Sequence, residues 1–222
     1  MTAGDSLDAW AAQARADARR GIRRRIMAWL GLGSAVRRAE AVAVRREKGA
    51  EGERATALLL APLQSRGWWI GYSRALPGSR ADLDAVLVSP CGTAIVVLDS
   101  KQWRRNWPTA LVAGRVYCGS ENRHDQVEKV ARYAARVSAA LALPGVVVWP
   151  LLVVHGSPVA GGYLAVRTEA WSGPTYLLEP ERLLPTLANA PKQHDPARAR
   201  LLAARVHQLL PPYVQHGQGG RR

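Results

Sequence analysis

The sequence predicts an α/β fold: one domain built on a mixed central sheet flanked by helices, preceded by a basic helical N-terminal arm. Three observations carry this. Two β-rich runs, Leu83 to Ser89 and Thr93 to Asp99, are joined by Pro90-Cys91-Gly92, a hairpin signal. An amphipathic helix pattern spans Asp125 to Leu143, with Val127, Val130, Ala134, Val137 and Leu141 on one side. After only Pro144-Gly145 comes the apolar run Val146 to Val154, which reads as a central strand reached by a crossover connection.

The remaining elements fall around these. Residues 7 to 46 read as helical, with a break at Gly31-Leu32-Gly33-Ser34. Arginines dominate this segment, Arg23, Arg24 and Arg25 among them, and Ile22, Ile26, Trp29 and Leu30 form one narrow apolar stripe. The texture changes near Gly49, so the division predicted is an arm over 1–46, a domain over 47–213 and a frayed tail over 214–222. Glu51 to Arg66 reads as a helix with Ala55, Leu58, Leu59 and Leu63 on its apolar side, ended by Gly67. Trp68 to Tyr72 follows as a first strand, and Leu76 to Arg80 as a loop. The stretch after Lys101, with Trp103, Arg104, Arg105, Trp107 and Arg115, reads as a loop of polar and aromatic character. Gly161 to Val166 and Thr175 to Leu178 are further strands; Glu179 to Leu187 and Pro196 to Leu210 are helices.

Composition narrows the function classes. The formal charge of +14 and a pI near 10.9 point to a polyanionic partner, nucleic acid or an acidic membrane face. The basic arm suits phosphates, a partner groove or a membrane surface, so residues 20–30 are a candidate peripheral membrane or protein contact. No apolar run reaches the roughly 18 to 20 residues that a spanning helix needs. Two cysteines, Cys91 and Cys118, make no disulfide framework, and no secretory signal is evident, which together predict a reduced, cytoplasmic protein. His124, His155, His194, His207 and His216 show no zinc-ligand spacing. A nucleophile elbow and a phosphate-binding Gly-Lys-Ser/Thr loop are both missing.

The hairpin carries the chemistry. With its turn centred between Cys91 and Gly92, cross-strand partners have residue numbers adding to 183, so Asp84 faces Asp99 and Asp82 faces Lys101. Opposed carboxylates destabilise an ordinary sheet. A divalent cation between them removes the objection, because Mg²⁺ takes carboxylate and water oxygens. Lys101 adds to this: only four of the 31 basic residues are lysines (Lys48, Lys101, Lys129, Lys192). A generic surface cation in this chain is Arg, whereas Lys supplies a compact point charge suited to a phosphate or a positioned water.

Gly49-Ala50-Glu51-Gly52-Glu53 on a helix, Ala81-Asp82-Leu83-Asp84 opening one strand and Leu98-Asp99-Ser100-Lys101 ending the next together resemble the nuclease-related domain (NERD). That family is similar to the PD-(D/E)XK restriction-endonuclease-like superfamily. The resemblance covers about Gly49 to Ala140 and implies a restriction-endonuclease-like mixed sheet. It implies Asp84 and Asp99 as metal ligands, Glu53 as the helical glutamate completing the acidic cluster, Lys101 as the lysine of the (D/E)-x-K element, and Gln126 as a glutamine near the site. Tyr133 is a weaker candidate, read here as a helix-surface group. Asp99 is one methylene shorter than the family's usual Glu, and Asp82 competes with Asp84. The expected activity is Mg²⁺- or Mn²⁺-dependent hydrolysis of nucleic acid, DNA favoured. Arg104, Arg105, Arg115 and Trp103, with Arg23, Arg24 and Arg25 of the arm, are the expected nucleic-acid contacts. The alternatives are a nucleic-acid-binding module without turnover and a membrane- or partner-tethered protein using the arm.

Overall fold

The computed structural model describes residues 49, 51–79, 81–189 and 193–214. The predicted arm, with Arg23, Arg24, Arg25 and the apolar stripe, lies outside the described residues. So does the tail from 215 onward. The elements follow in order as α1 (residues 51–64), β1 (Trp69–Ala75), β2 (Asp82–Val88), β3 (Ala94–Gln102), β4 (Thr109–Val112), β5 (Arg115–Cys118), β6 (Glu121–Asn122), α2 (His124–Leu141), β7 (Val147–His155), a 3-10 turn (Ala160–Gly162), β8 (Tyr163–Val166), β9 (Thr175–Leu178), α3 (Pro180–Ala188) and α4 (Pro196–Leu209). The fold is mixed α/β. Its main sheet has six strands in the order β1-β2-β3-β7-β9-β8, with β3-β7 and β7-β9 parallel and the other pairs antiparallel. Among the described residues no helix is long and apolar enough to cross a membrane.

Each face of the sheet is covered by a helix pair. Val86, Val88, Ile95 and Val97 pack against Tyr133, Ala134, Val137 and Leu141 of α2 and against Leu202, Ala203 and Val206 of α4. On the other face Ala85, Leu87, Val96, Leu98, Leu151 and Val153 meet Leu60 and Leu63 of α1 and Leu183 and Leu187 of α3. Strand alternation makes this division, since neighbours along a strand point to opposite faces. The apolar side predicted for α2 is buried in full. Gly67, at φ +83°, closes α1, and the Trp68 N–H that follows it donates back to Leu63 O at 3.1 Å.

Two expectations need correction. The buried stripe of α1 is Gly52, Thr56, Leu60 and Leu63, whereas Leu58, expected inside, is 76% exposed. The two stripes differ by a rotation about the helix axis, and the polar Thr56 on the inner side hides the true one. The stretch after Lys101 is not a loop throughout. It contains a three-stranded antiparallel sheet, β4-β5-β6, turned by Ala113 and Gly114 at positive φ. Strands this short leave too few alternations to see in sequence. Val116 and Cys118 of this small sheet join Val127, Val130, Leu152 and Val154 in a third apolar cluster, which fixes it against α2 and β7.

The hairpin register is the one the sequence predicts: Ala85↔Leu98, Val86↔Val97, Leu87↔Val96 and Val88↔Ile95, each pair adding to 183. The turn is clamped from outside. Gly92 has φ +64°, and a Cβ there would lie 2.6 Å from the Arg198 carbonyl carbon and 2.7 Å from Ala199 N. Asp195 N–H, just before α4, donates to Pro90 O at 2.9 Å. Gly92→Ala therefore meets both a left-handed backbone and the backbone of α4, and should cost about 1–3 kcal/mol. Thermal melting checks this; an unchanged midpoint would show that α4 does not hold the turn.

Candidate active site

The site forms where the β2–β3 ladder stops although both strands run on, β2 to Asp82 beside β1 and β3 to Gln102 beside β7. The β2–β3 ladder runs as far as Ala85↔Leu98, while β3 continues beside β7 through Ser100↔Val153, Lys101↔Val154 and Gln102↔His155. One step past the ladder Asp84 stands opposite Asp99. There a side chain takes over from the backbone: Ser100 N–H donates to Asp84 Oδ2 at 2.6 Å. A buried N–H without an acceptor is costly, so this bond is as much a sheet bond as a site bond. By alternation Asp99 and Lys101 share the face of Ile95 and Val97, and Ser100 takes that of Val96 and Leu98.

Asp99 is 4% exposed, and Lys101 Nζ pairs with its Oδ2. Lys101 Nζ also donates to Ser100 O at 3.1 Å. Asp84 lines a cavity of about 240 Å³ together with Glu53, Thr56, Tyr72 and Ser100. Its rival Asp82 is exposed. Burial raises the Asp84 carboxyl to about 7, helped by Asp99 and Glu53, against the lowering pull of Lys101 and the Ser100 bond. Glu53 is raised too, by burial first and then by Asp82 and Asp99, with Lys101 opposing. These mutual effects place Glu53, Asp82, Asp84, Asp99 and Lys101 in one electrostatic neighbourhood. Among the described residues, no three His, Cys, Asp or Glu side chains converge tightly enough to hold an ion by themselves. Two carboxylates are nevertheless a fitting donor set, because Mg²⁺ keeps most of its waters and commonly binds through one or two of them.

The first turns of α2 form the other wall. Asn122 Oδ1 accepts from His124 N at 3.0 Å, satisfying one of the N–H groups left free in the first turn of the helix. Trp103 Nε1–H donates to Gln126 Oε1 at 2.9 Å. An indole N–H only donates, so this bond fixes which amide atom is the oxygen and leaves the Gln126 N–H groups as donors. Lys129 joins the site without having been singled out by the sequence. Burial works against its ammonium, yet its bond to Tyr133 and the charges of Asp99, Tyr133 and Asp84 together raise its pKa. The rarity of lysine that distinguishes Lys101 marks Lys129 equally well. Tyr133, expected as a surface group, is 8% exposed, with the Lys129 ammonium 5.2 Å from its ring centre.

The expected nucleic-acid contacts divide. Arg104, Arg105 and Arg115 are exposed. Arg104 pairs with Glu121 at 3.1 Å and lies 4.4 Å from the Trp107 ring centre, so one edge of its guanidinium is engaged. Trp103 is a correction: at 5% exposure, inside the third apolar cluster, its indole offers no free face for a base. Both cysteines are free thiols.

A carboxyl whose folded value of about 7 exceeds its ordinary 3.8 holds its proton more tightly in the folded chain. Its contribution to stability is therefore greatest below about 4 and is lost as pH rises toward about 7. In metal-free buffer, wild-type protein should lose stability relative to Asp84→Asn across that window, at up to about 1.4 kcal/mol per pH unit. Denaturant unfolding at a series of pH values measures it. Parallel profiles for the two proteins would mean that Asp84 titrates in the ordinary range.

Residues 48–155 match the family profile described as nuclease-related domain, NERD. Neither a curated protein nor a solved structure gives a significant match. The matched stretch takes in Glu53, Asp84, Asp99, Lys101 and Gln126 and ends on the last residue of β7. Over residues 48–155, the chain is similar to the nuclease-related domain family, as its acidic and Asp-x-Lys motifs predict.

Proposed function

We propose that the chain is a metal-dependent nuclease that hydrolyses phosphodiester bonds of nucleic acid, with DNA as the favoured substrate. One observation carries this reading: Asp84 and buried Asp99 stand opposite each other at the end of a strand, with Lys101 on Asp99, inside the stretch that matches the nuclease-related domain. Asp84 and Asp99 would hold Mg²⁺ or Mn²⁺, with Glu53 flanking them. When bound, the ion supplies Lewis-acid activation of a water and of the scissile phosphate.

The protein's own groups do the rest. Asp84, whose carboxyl is raised by burial, would be ionised when it holds an ion, since opposite charge favours the charged form. Lys101 and Lys129 bring two ammonium groups to the acids, positioned to offset the negative charge that builds on a phosphate during attack. Gln126, its oxygen held by Trp103, offers amide N–H donors about one helical turn before Lys129 on α2. Arg104, Arg105 and Arg115 supply exposed cations for the phosphate backbone, and the basic arm would extend that track.

A second reading, a nucleic-acid-binding module without turnover, draws support from one feature. Lys101 sits on Asp99, where an ion would have to compete with it. Cleavage assays separate the two. With Mn²⁺ or Mg²⁺, nicking of supercoiled DNA should fall at least about 100-fold in Lys101→Ala and in Asp84→Ala, as for loss of one charge-stabilising group. Activity that survives both substitutions in clean protein rules out this site as the catalyst, and salt-sensitive binding with no cleavage by wild type favours the module.

The electrostatic track has its own test. Replacing Arg104, Arg105 and Arg115 together by Gln should flatten the plot of log affinity against log salt, by up to about 0.9 for each duplex phosphate that is no longer neutralised. An unaltered slope means that other cations neutralise the phosphates.

A further inference from the structure

Between Asp99 and Lys101, both turned toward the α2 face, Ser100 points to the α1 face, and its side chain begins a buried chain of hydrogen bonds. Ser100 Oγ donates to Thr56 Oγ1 at 2.9 Å, and Thr56 Oγ1 is 2.7 Å from His155 Nε2. All three side chains are buried, at 6%, 1% and 8% exposure. A threonine hydroxyl has one proton. Because Thr56 Oγ1 accepts from Ser100, that proton is free to be donated to Nε2 of a neutral imidazole. Burial lowers the pKa of His155, keeping the ring in that neutral form despite the opposing charge of Glu181. The first turn of α1 lies close over the ring: a Cβ on Gly52 would come within 3.8 Å of His155 Cδ2.

The three residues sit on three elements. His155 ends β7, Ser100 lies near the end of β3, and Thr56 stands on α1 one turn beyond Glu53. Ser100 is also the residue whose backbone N–H holds Asp84. We propose that the Ser100–Thr56–His155 chain is a positioning device for the metal site, fixing Ser100 so that its amide holds Asp84 opposite Asp99 and fixing α1 so that Glu53 stays at the flank. None of the three touches the ion or the substrate; each acts through Asp84 or Glu53. The inference rests on the nuclease reading and specifies what keeps that site in shape. Packing alone does not explain the arrangement, because a buried stripe otherwise built of Gly52, Leu60 and Leu63 has a hydroxyl at Thr56 whose partners are 44 and 99 residues away.

The test is Mn²⁺ binding by the full-length protein, followed by loss of the free-ion electron paramagnetic resonance signal, with no substrate present. Thr56→Val keeps the side-chain shape and removes the hydroxyl, Thr56→Ser keeps the hydroxyl, and Ser100→Ala removes Oγ while leaving the amide in place. Hydrogen bonds that orient metal ligands typically contribute about 10–100-fold to affinity. Thr56→Val and Ser100→Ala should lose affinity on that scale, and Thr56→Ser should bind as wild type does. Circular dichroism identifies any variant that fails to fold; if Thr56→Val is one, Ser100→Ala decides. Wild-type affinity in both Thr56→Val and Ser100→Ala overturns the positioning role while leaving the metal site standing. A loss in Thr56→Ser equal to that in Thr56→Val overturns it as well, since packing of the methyl would then be the cause. No Mn²⁺ binding by wild type overturns the nuclease reading itself, and the positioning role with it.

Discussion

The site depends on the early end of one ladder: β2 and β3 both run on past Ala85↔Leu98 but are paired with each other no further. Strand β3 continues beyond its antiparallel ladder with β2 and is accompanied over its last residues by its parallel partner β7. A backbone amide left there without a strand partner needs another acceptor, and the Asp84 carboxylate is the acceptor it finds. That bond draws a carboxylate into the end of the sheet, next to one that is already buried. Burial and like charge then prevail over the amide bond, and the Asp84 carboxyl is held near neutrality. A sheet defect and an acidic pair are thus one feature viewed from two sides.

The balance of cations follows from this. Lysine is rare in the chain, yet two of the four lysines face the acidic pair, Lys101 from the strand and Lys129 from α2. An ammonium on a flexible stem can settle on one carboxylate and leave it again, whereas a guanidinium forks rigidly onto its partner. Arg54 lines the cavity with Asp84 and Glu53, and Arg104 divides its guanidinium between Glu121 and Trp107. The small β4-β5-β6 sheet supports that arrangement, and its packing on α2 ties it to the helix that carries Gln126 and Lys129.

Much of this is legible in the sequence, for local reasons. Pro90-Cys91-Gly92 fixes the hairpin register within a few residues, so the opposition of Asp84 and Asp99 follows by counting. The apolar spacing of α2 is regular enough to identify its buried side. What escapes is non-local or too short. The inner face of α1 is misjudged because one of its buried members is a hydroxyl whose partners are far along the chain. The small sheet has strands of two to four residues, below the length at which alternation can be read. The indole of Trp103 looks exposed among arginines; its burial depends on Val116, Val127 and Val154, which only the fold assembles.

The close approach of Gly92 to α4 bears on where this domain ends. The family resemblance stops at His155, yet the turn that sets the hairpin register rests on residues 195–199, and both apolar layers are completed by side chains beyond 155, among them Leu178, Leu183 and Val206. The stretch that carries kinship is therefore shorter than the stretch that folds. A chain cut at the family boundary would keep every acidic residue of the site and lose the scaffold that brings them face to face.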